Sequence, residues 1–180
     1  MNKLRSFLFI AVMLIAVSAN AQVSFGLKAG LNLATITGNG GSADSKIGYK
    51  IGPALDFGIA ENMSIQAAAL LSSKGAKHVD ANYLEVPVCF AYKFPIAPDT
   101  KIYVNAGPYF AYGLFGKTGG IDTFDDDFGM KKLDYGATIG AGAEVLKFNF
   151  GLNYDLGLAK IYDGGSAKNS NFLISVGYNF

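Results

Sequence analysis

General-base chemistry in this chain would have to start from its single histidine, His78, which stands near Lys77 and Asp80 with Ser72 and Ser73 upstream as conceivable nucleophiles. Acyl transfer needs serine, base and carboxylate linked by geometry. The spacing here matches no such motif, and a solvated loop histidine accounts for the position equally well. No catalytic residue is assigned, and the chain reads as a non-enzyme. A second group, Asp122, Asp125, Asp126 and Asp127, could gather oxygen ligands around a cation. It lacks the glycine and terminal glutamate spacing of a calcium loop, and an acidic run beside glycines is ordinarily solvated. No metal or cofactor site is assigned. Cys89 is the lone cysteine and can form no internal disulfide; it reads as a small buried thiol. The remaining charges of interest, Lys28, Lys50 and Lys93 with Asp56, Glu85, Asp134, Glu144 and Asp155, make sense only once the elements that carry them are placed.

Met1 to Ala21 has the build of a secretory signal. Lys3 and Arg5 open it, Phe7 to Val17 is uninterruptedly apolar, and Ala19-Asn20-Ala21 supplies small residues for cleavage before Gln22. The apolar run is shorter than the roughly 20 residues of a spanning helix. The expected organisation is therefore a cleavable signal over 1–21 and one domain over 22–180. Arg5 is the only arginine, so residues 22–180 carry 13 Lys against 14 acidic residues. Such a balance argues against a nucleic-acid partner, which asks for a basic surface.

From Val23 onward apolar residues fall at every second position. Val23 to Leu33 takes the odd numbers, as do Ile47 to Ile59 and Met63 to Leu71. Leu84 to Phe94 and Ile102 to Leu114 take the even ones; Leu133 to Val145 returns to odd, and Phe148 to Leu158 and Phe172 to Phe180 are even. A period of two is the mark of a strand with unlike faces. The apolar face carries no charge, whereas the other face holds glycines and the lysines and carboxylates named above. With the apolar face inside, an eight-stranded barrel would be overfilled, because its bore only just holds its side chains. With that face outside, glycines and small polar groups fill the lumen and the large apolar groups meet lipid. Closure then gives every backbone group a partner in hydrocarbon. The sequence thus predicts an all-β, eight-stranded, antiparallel up-and-down transmembrane β-barrel in the outer membrane of a bacterial cell.

The links alternate in length. Ala60 to Asn62, Pro95 to Thr100 and the two-residue Leu146-Lys147 read as periplasmic turns. Thr35 to Ser45, Ser73 to Tyr83, Phe115 to Lys132 and Ala159 to Asn171 read as external loops. Aromatic belts are expected from Phe25, Phe57, Tyr92, Phe94, Phe148, Phe150, Tyr178 and Phe180 at the periplasmic rim, and from Tyr49, Phe110, Tyr112 and Tyr135 at the outer one. Pro53, Pro87 and Pro108 should each bring a bulge or a missing ladder bond. The lumen charges should pair into a plug, because unpaired ions in a narrow bore are costly.

Several phrases carry a likeness: YLEVPV at 83–88, VNAGPYFAY at 104–112, DYGATIGAGAE at 134–144 and the terminal VGYNF at 176–180. Together they resemble the PorT-like outer-membrane β-barrel family of the Bacteroidota, small barrels similar in architecture to OmpA and OmpX. The resemblance implies fold and location more than role. It allows a structural or surface-interaction barrel acting through external loops, or an accessory part of a protein-secretion or envelope-assembly machine. Implied partners are outer-membrane lipids and lipopolysaccharide, which the Asp122 to Asp127 loop could meet through divalent cations, and a protein at the external loops. Phe180, with Tyr178 before it, resembles the end signal read by outer-membrane assembly machinery.

Overall fold

The computed structural model describes residues 23–38, 41–42, 44–77, 79–125, 130–162 and 166–180. Residues 1–22, which include the expected signal, lie outside that set, as do His78, Asp126 and Asp127. Eight antiparallel strands form a ring: β1 Val23–Gly38, β2 Lys46–Ala60, β3 in two segments Met63–Ala68 and Leu70–Ala76, β4 Val79–Ala97, β5 Thr100–Phe115, β6 Leu133–Val145, β7 Phe148–Gly157 and β8 Lys168–Asn179. Each strand pairs with its neighbour in sequence, and β8 closes on β1 from Gly26↔Asn179 to Thr37↔Lys168. Among the described residues there is no helix.

The faces are those the alternation requires. Leu31, Ile51, Val104, Phe110, Ile139, Leu152 and Ile174 are exposed on the outer wall, whereas Asn32, Lys50, Asn105, Asn153 and Asp155 are buried within. An exterior band of Leu, Ile, Val and Phe is a surface for hydrocarbon, not for water. The lumen is less polar than the sequence suggests. Tyr83, Tyr103, Tyr109, Leu70 and Leu173 also point inward and are buried. Tyr109 pairs with Gly136 and Tyr103 with Gly142 across the β5–β6 ladder, and each ring lies over its glycine where a Cβ would otherwise stand. Glycine at those two positions is what lets a tyrosine lie flat in so narrow a bore.

At the end where β1 begins and β8 finishes, turns at residues 61–62, 98–99 and 146–147 join the strands. Val145↔Phe148 is the last pair of the two-residue hairpin, and Leu146 holds a φ of 55° there. Phe148 stacks on Phe150 and meets Tyr178 edge-on, which in turn meets Phe180, so these four rings form one run of contacts along β7 and β8, while Tyr92 and Phe94 pair separately on β4.

The outer end differs from the loops expected. Ser73 to Tyr83 is not a loop: β3 runs on to Ala76 and pairs with β4 from Leu70↔Glu85 to Ala76↔Val79. β1 likewise continues to Gly38 and pairs with Gly41–Ser42, and β8 begins at Lys168, inside the expected loop Ala159 to Asn171. These extensions stand beyond the apolar wall, where Asp80 and Asn82 take the place of Leu, Ile and Phe on the outer face and the period of two fades. Between β5 and β6 a short hairpin, Lys117–Thr118 with Ile121–Asp122, leans on β4 through Thr123, whose hydroxyl donates to the Asp80 carbonyl at 2.7 Å.

Each of the three prolines keeps its ladder on one side and faces a gap on the other. Pro53 pairs with Leu27, but β3 breaks at Ala69 opposite it. Pro87 pairs with Tyr109, and the β3–β4 register passes over the position facing it. Pro108 pairs with Ala137, and the β4–β5 register passes over it. The register is the same before and after every gap, so a missing donor opens the ladder without a bulge.

Candidate functional site: a stoppered lumen

Alternation along β2, β3, β4, β6 and β7 aims Lys50, Lys74, Glu85, Asp134 and Asp155 at one level of the bore, in its outer half. Lys74 Nζ lies 2.8 Å from Glu85 and 2.9 Å from Asp134, and Lys50 is paired with both Glu85 and Asp155. Asn169 donates to Asp134 at 3.1 Å, and the Lys74 ammonium sits 4.1 Å from the Tyr109 ring centre. All five charged side chains are almost completely buried. Two lysines against three carboxylates leave this level with one excess negative charge.

Nearer the terminal end, Lys93 bridges Asp56 and Glu144 at 2.8 Å each. From Asp56 a chain of amides runs inward, through Gln66 at 3.0 Å, Asn105 at 2.7 Å and Asn153 at 3.1 Å, to Lys28 at 3.5 Å. This level also carries one excess carboxylate. Lys28 lies between the two levels, so its charge offsets both at longer range.

A cavity of about 70 Å³ separates the levels, bordered by Lys28, Cys89, Tyr103, Asn105 and Asn153. Its walls mix these polar groups with Leu27, Leu70 and Leu173, and it has room for about two waters. Beyond Lys93 a vestibule of about 250 Å³, lined by Lys101, Lys147, Glu61 and Phe180, opens at the terminal end. Asp56 and Asn179 border both spaces.

The outer mouth carries an apolar stopper. Met130 and Ile161, from the two last external connections, are buried against Ala81, Tyr83, Tyr109 and Ala111. A Met130↔Tyr162 bridge and the hydrogen bonds Lys131 N to Ile161 O and Ile161 N to Ala167 O hold those connections over the bore. Phe124 closes the β4–β5 side, edge-on to Tyr83 and over Gly113. Burial raises the Tyr162 phenol above its ordinary pKa.

The structure sorts the residues the sequence brought forward. Ser72 is fully buried in the wall opposite Lys50, and Asp80 is exposed and committed to Lys46, so no serine–carboxylate couple forms among the described residues. Asp122 uses its carboxylate to cap its own turn, accepting from Phe124 N at 2.8 Å. Among the described residues no group of three metal-ligating side chains gathers. Cys89 is a buried free thiol on the cavity wall. Lys74 was missed, because Ser73 to Tyr83 read as a loop. The signal was present in parity: Ser64, Gln66 and Ser72 point inward, and Lys74 continues their even series.

Residues 18–163 match the family model of the outer membrane protein beta-barrel domain. No curated protein is similar enough in sequence to match. Among solved structures, the chain resembles Neisserial surface protein A at TM-score 0.59 and 15% identity, covering 88% of this chain and 99% of that one. The outer membrane enzyme PagL is similar at 0.53 and 13%, over 85% and 98%. Ail, the attachment invasion locus protein of Yersinia pestis, solved with the heparin analogue sucrose octasulfate, is similar at 0.50 and 12%, over 88% and 99%. At these identities the likeness is one of fold.

Proposed function

The chain belongs to the family of outer membrane protein β-barrel domains, and from that premise we propose that it is a structural or surface-interaction protein acting through its external loops, without catalysis of its own. Its place is the outer membrane. The observation that carries the reading is the lumen: an apolar stopper, a buried five-membered ion cluster and a second ion bridge stand in series along it. Eight strands leave no aqueous channel once side chains fill the bore. Within this reading residues 1–21 are a cleaved signal, and lipopolysaccharide and outer-membrane lipids are the immediate surroundings. Phe180, exposed at the terminal rim beside Tyr178, is the end that assembly machinery reads.

The phrases YLEVPV, VNAGPYFAY, DYGATIGAGAE and VGYNF favour a second reading, a PorT-like barrel of the Bacteroidota that is accessory to a protein-secretion or envelope-assembly machine. Planar-bilayer recording tests the plugged lumen. Purified barrel is expected to give no steady single-channel conductance, and a reproducible conductance level would overturn the proposal. Reproducible recovery of secretion subunits with the intact barrel from native envelopes would replace the first reading by the second.

A further inference from the structure

The three proline gaps lie on consecutive ladders and adjoin one another. Pro53 faces Ala69, where β3 breaks, and Ala68 and Ala69 face Pro87 and Val86, the positions skipped between Ala67↔Val88 and Leu70↔Glu85. Val88 and Cys89 face Pro108 and Gly107, skipped between Pro87↔Tyr109 and Phe90↔Ala106. The gaps therefore form one seam across β2 to β5, and the other five ladders run without an interior break. Ala69 N donates to Pro53 O at 3.0 Å, which fixes the phase of the hydrogen-bonded pairs as Pro53 with Ala69, Pro87 with Ala68 and Pro108 with Val88. The proline of each pair has no N–H to return, so the carbonyls of Ala69, Ala68 and Val88 each lack their ladder donor. Hydrocarbon supplies none in its place, and the wall is held least firmly along this line.

Behind the seam lies the Cys89 cavity. Its border takes in Ala54, Ala67, Ala68 and Pro87 from the seam strands, and Lys28 and Asn153 from β1 and β7. Leu27 and Leu55 border it as well, yet their side chains are exposed on the outer wall, so the cavity touches residues of both faces. Lys28 Nζ reaches the Asn153 amide oxygen only at 3.5 Å, and among the described residues no carboxylate stands within ion-pair distance of it. The surplus carboxylate of each neighbouring level attracts Lys28 at longer range but supplies it no hydrogen bond. An enclosed ammonium with so few acceptors favours a ligand that brings oxygen atoms to it. Space for about two waters admits the small planar head of a carboxylate and excludes an esterified phosphate.

We propose that the seam is a lateral port from the bilayer into the Cys89 cavity, through which a single-chain carboxylate amphiphile, a free fatty acid, seats its head on Lys28 and leaves its chain along Leu27, Leu55 and the small side chains of the seam. The chain stays in hydrocarbon and only the head crosses the wall. Local parting of strands already short of ladder bonds is the whole motion required. The port uses neither end of the bore, so it goes beyond the loop-mediated role and leaves the stoppered lumen as it is.

The test is modification of Cys89 by uncharged methyl methanethiosulfonate in the folded barrel in phosphatidylcholine vesicles, with and without palmitate in the bilayer. The folded protein is expected to be modified. Pro87→Ala combined with Pro108→Ala, which returns donors to the seam, is expected to slow modification about tenfold. Palmitate is expected to protect the thiol, whereas hexadecanol, with a single neutral oxygen, is not. Lys28→Met should be modified as before but lose the protection. Heat-shifted gel mobility confirms that each variant is folded, and the comparison of palmitate with hexadecanol needs no variant. A folded wild type that stays unmodified, or a proline variant modified at the wild-type rate, would overturn the port. Equal protection by hexadecanol, or protection that survives in Lys28→Met, would overturn the carboxylate site. Conductance reads the plugged bore separately, so its failure is distinguishable from either outcome.

Discussion

Lys74 shows how little freedom a buried charge has in this bore. Its ammonium is fully buried, touches two carboxylates and lies over the Tyr109 ring, so solvent can replace none of its contacts. Deleting one partner of such a group leaves the other charges uncompensated in a low-dielectric site. That typically costs about 3–5 kcal/mol, far more than the pair contributes over an apolar replacement of both sides. Asp134 would keep only Asn169, whereas Glu85 would still have Lys50. Lys74→Met is therefore expected to lower the urea midpoint of the refolded barrel sharply. Lys77→Met, three residues away and largely exposed, should move stability by less than about 0.5 kcal/mol. Both are read from the folded band on unboiled detergent gels across a urea series; equal midpoints would remove Lys74 from the centre of the plug. The same residue marks a limit of reading from sequence: its parity with Ser64, Gln66 and Ser72 aims it inward, yet a lysine followed by Gly75 and Lys77 also fits a solvated loop.

At the scale of the strand, what was legible is what lipid enforces. Leu, Ile, Val and Phe alternate with Gly, Asn and charge because each wall residue meets either hydrocarbon or the bore, and the observed faces follow that alternation from Val23 to Asn179. Where β3, β4 and β8 rise past the apolar wall, water lies outside and the lumen inside. Both faces can then be polar, and the strand looks like a loop. The stopper was hidden for a related reason: Met130 and Ile161 are single apolar residues in polar connections, and only the closed ring shows what they cover. The prolines were legible because a missing N–H is a local fact that no tertiary context repairs. Their gaps give a prediction. Val104 pairs on both sides, with Tyr92 and Ala141, so Val104→Pro removes a ladder bond where none is missing and should abolish the heat-shifted folded band. Pro108→Ala, which restores a donor at an existing gap, should leave the folded fraction unchanged or raised. A Val104→Pro barrel that folds normally would show that the wall tolerates open ladder positions generally, and the three natural gaps would lose their meaning.

For the molecule as a whole, the order of barriers along the bore fixes which side can reach its centre. From outside, a solute meets the Met130 and Ile161 stopper and then the buried Lys50, Lys74, Glu85, Asp134 and Asp155 cluster before it arrives at Cys89. From the terminal end it crosses an open vestibule and meets a single bridge, Lys93 between Asp56 and Glu144, which borders the Cys89 cavity through Asp56. Two barriers against one make access asymmetric even though wild-type access is closed at both ends. Cys89 is only 5% exposed, and its cavity of about 70 Å³ holds waters but no quaternary-ammonium thiol reagent. In lipid vesicles the folded barrel is therefore expected to resist a trimethylammonium methanethiosulfonate added on either side, and to label fully once boiled in detergent. Lys93→Ala removes the inner bridge and leaves the outer barriers untouched, so labelling should appear from the terminal side alone. The readout is mass shift on the single thiol, with gel mobility confirming that the variant is folded. Labelling of the folded wild type would mean that the bore is open. Labelling of Lys93→Ala from the outer side would mean that stopper and cluster do not close it, and the series of barriers would have to be redrawn.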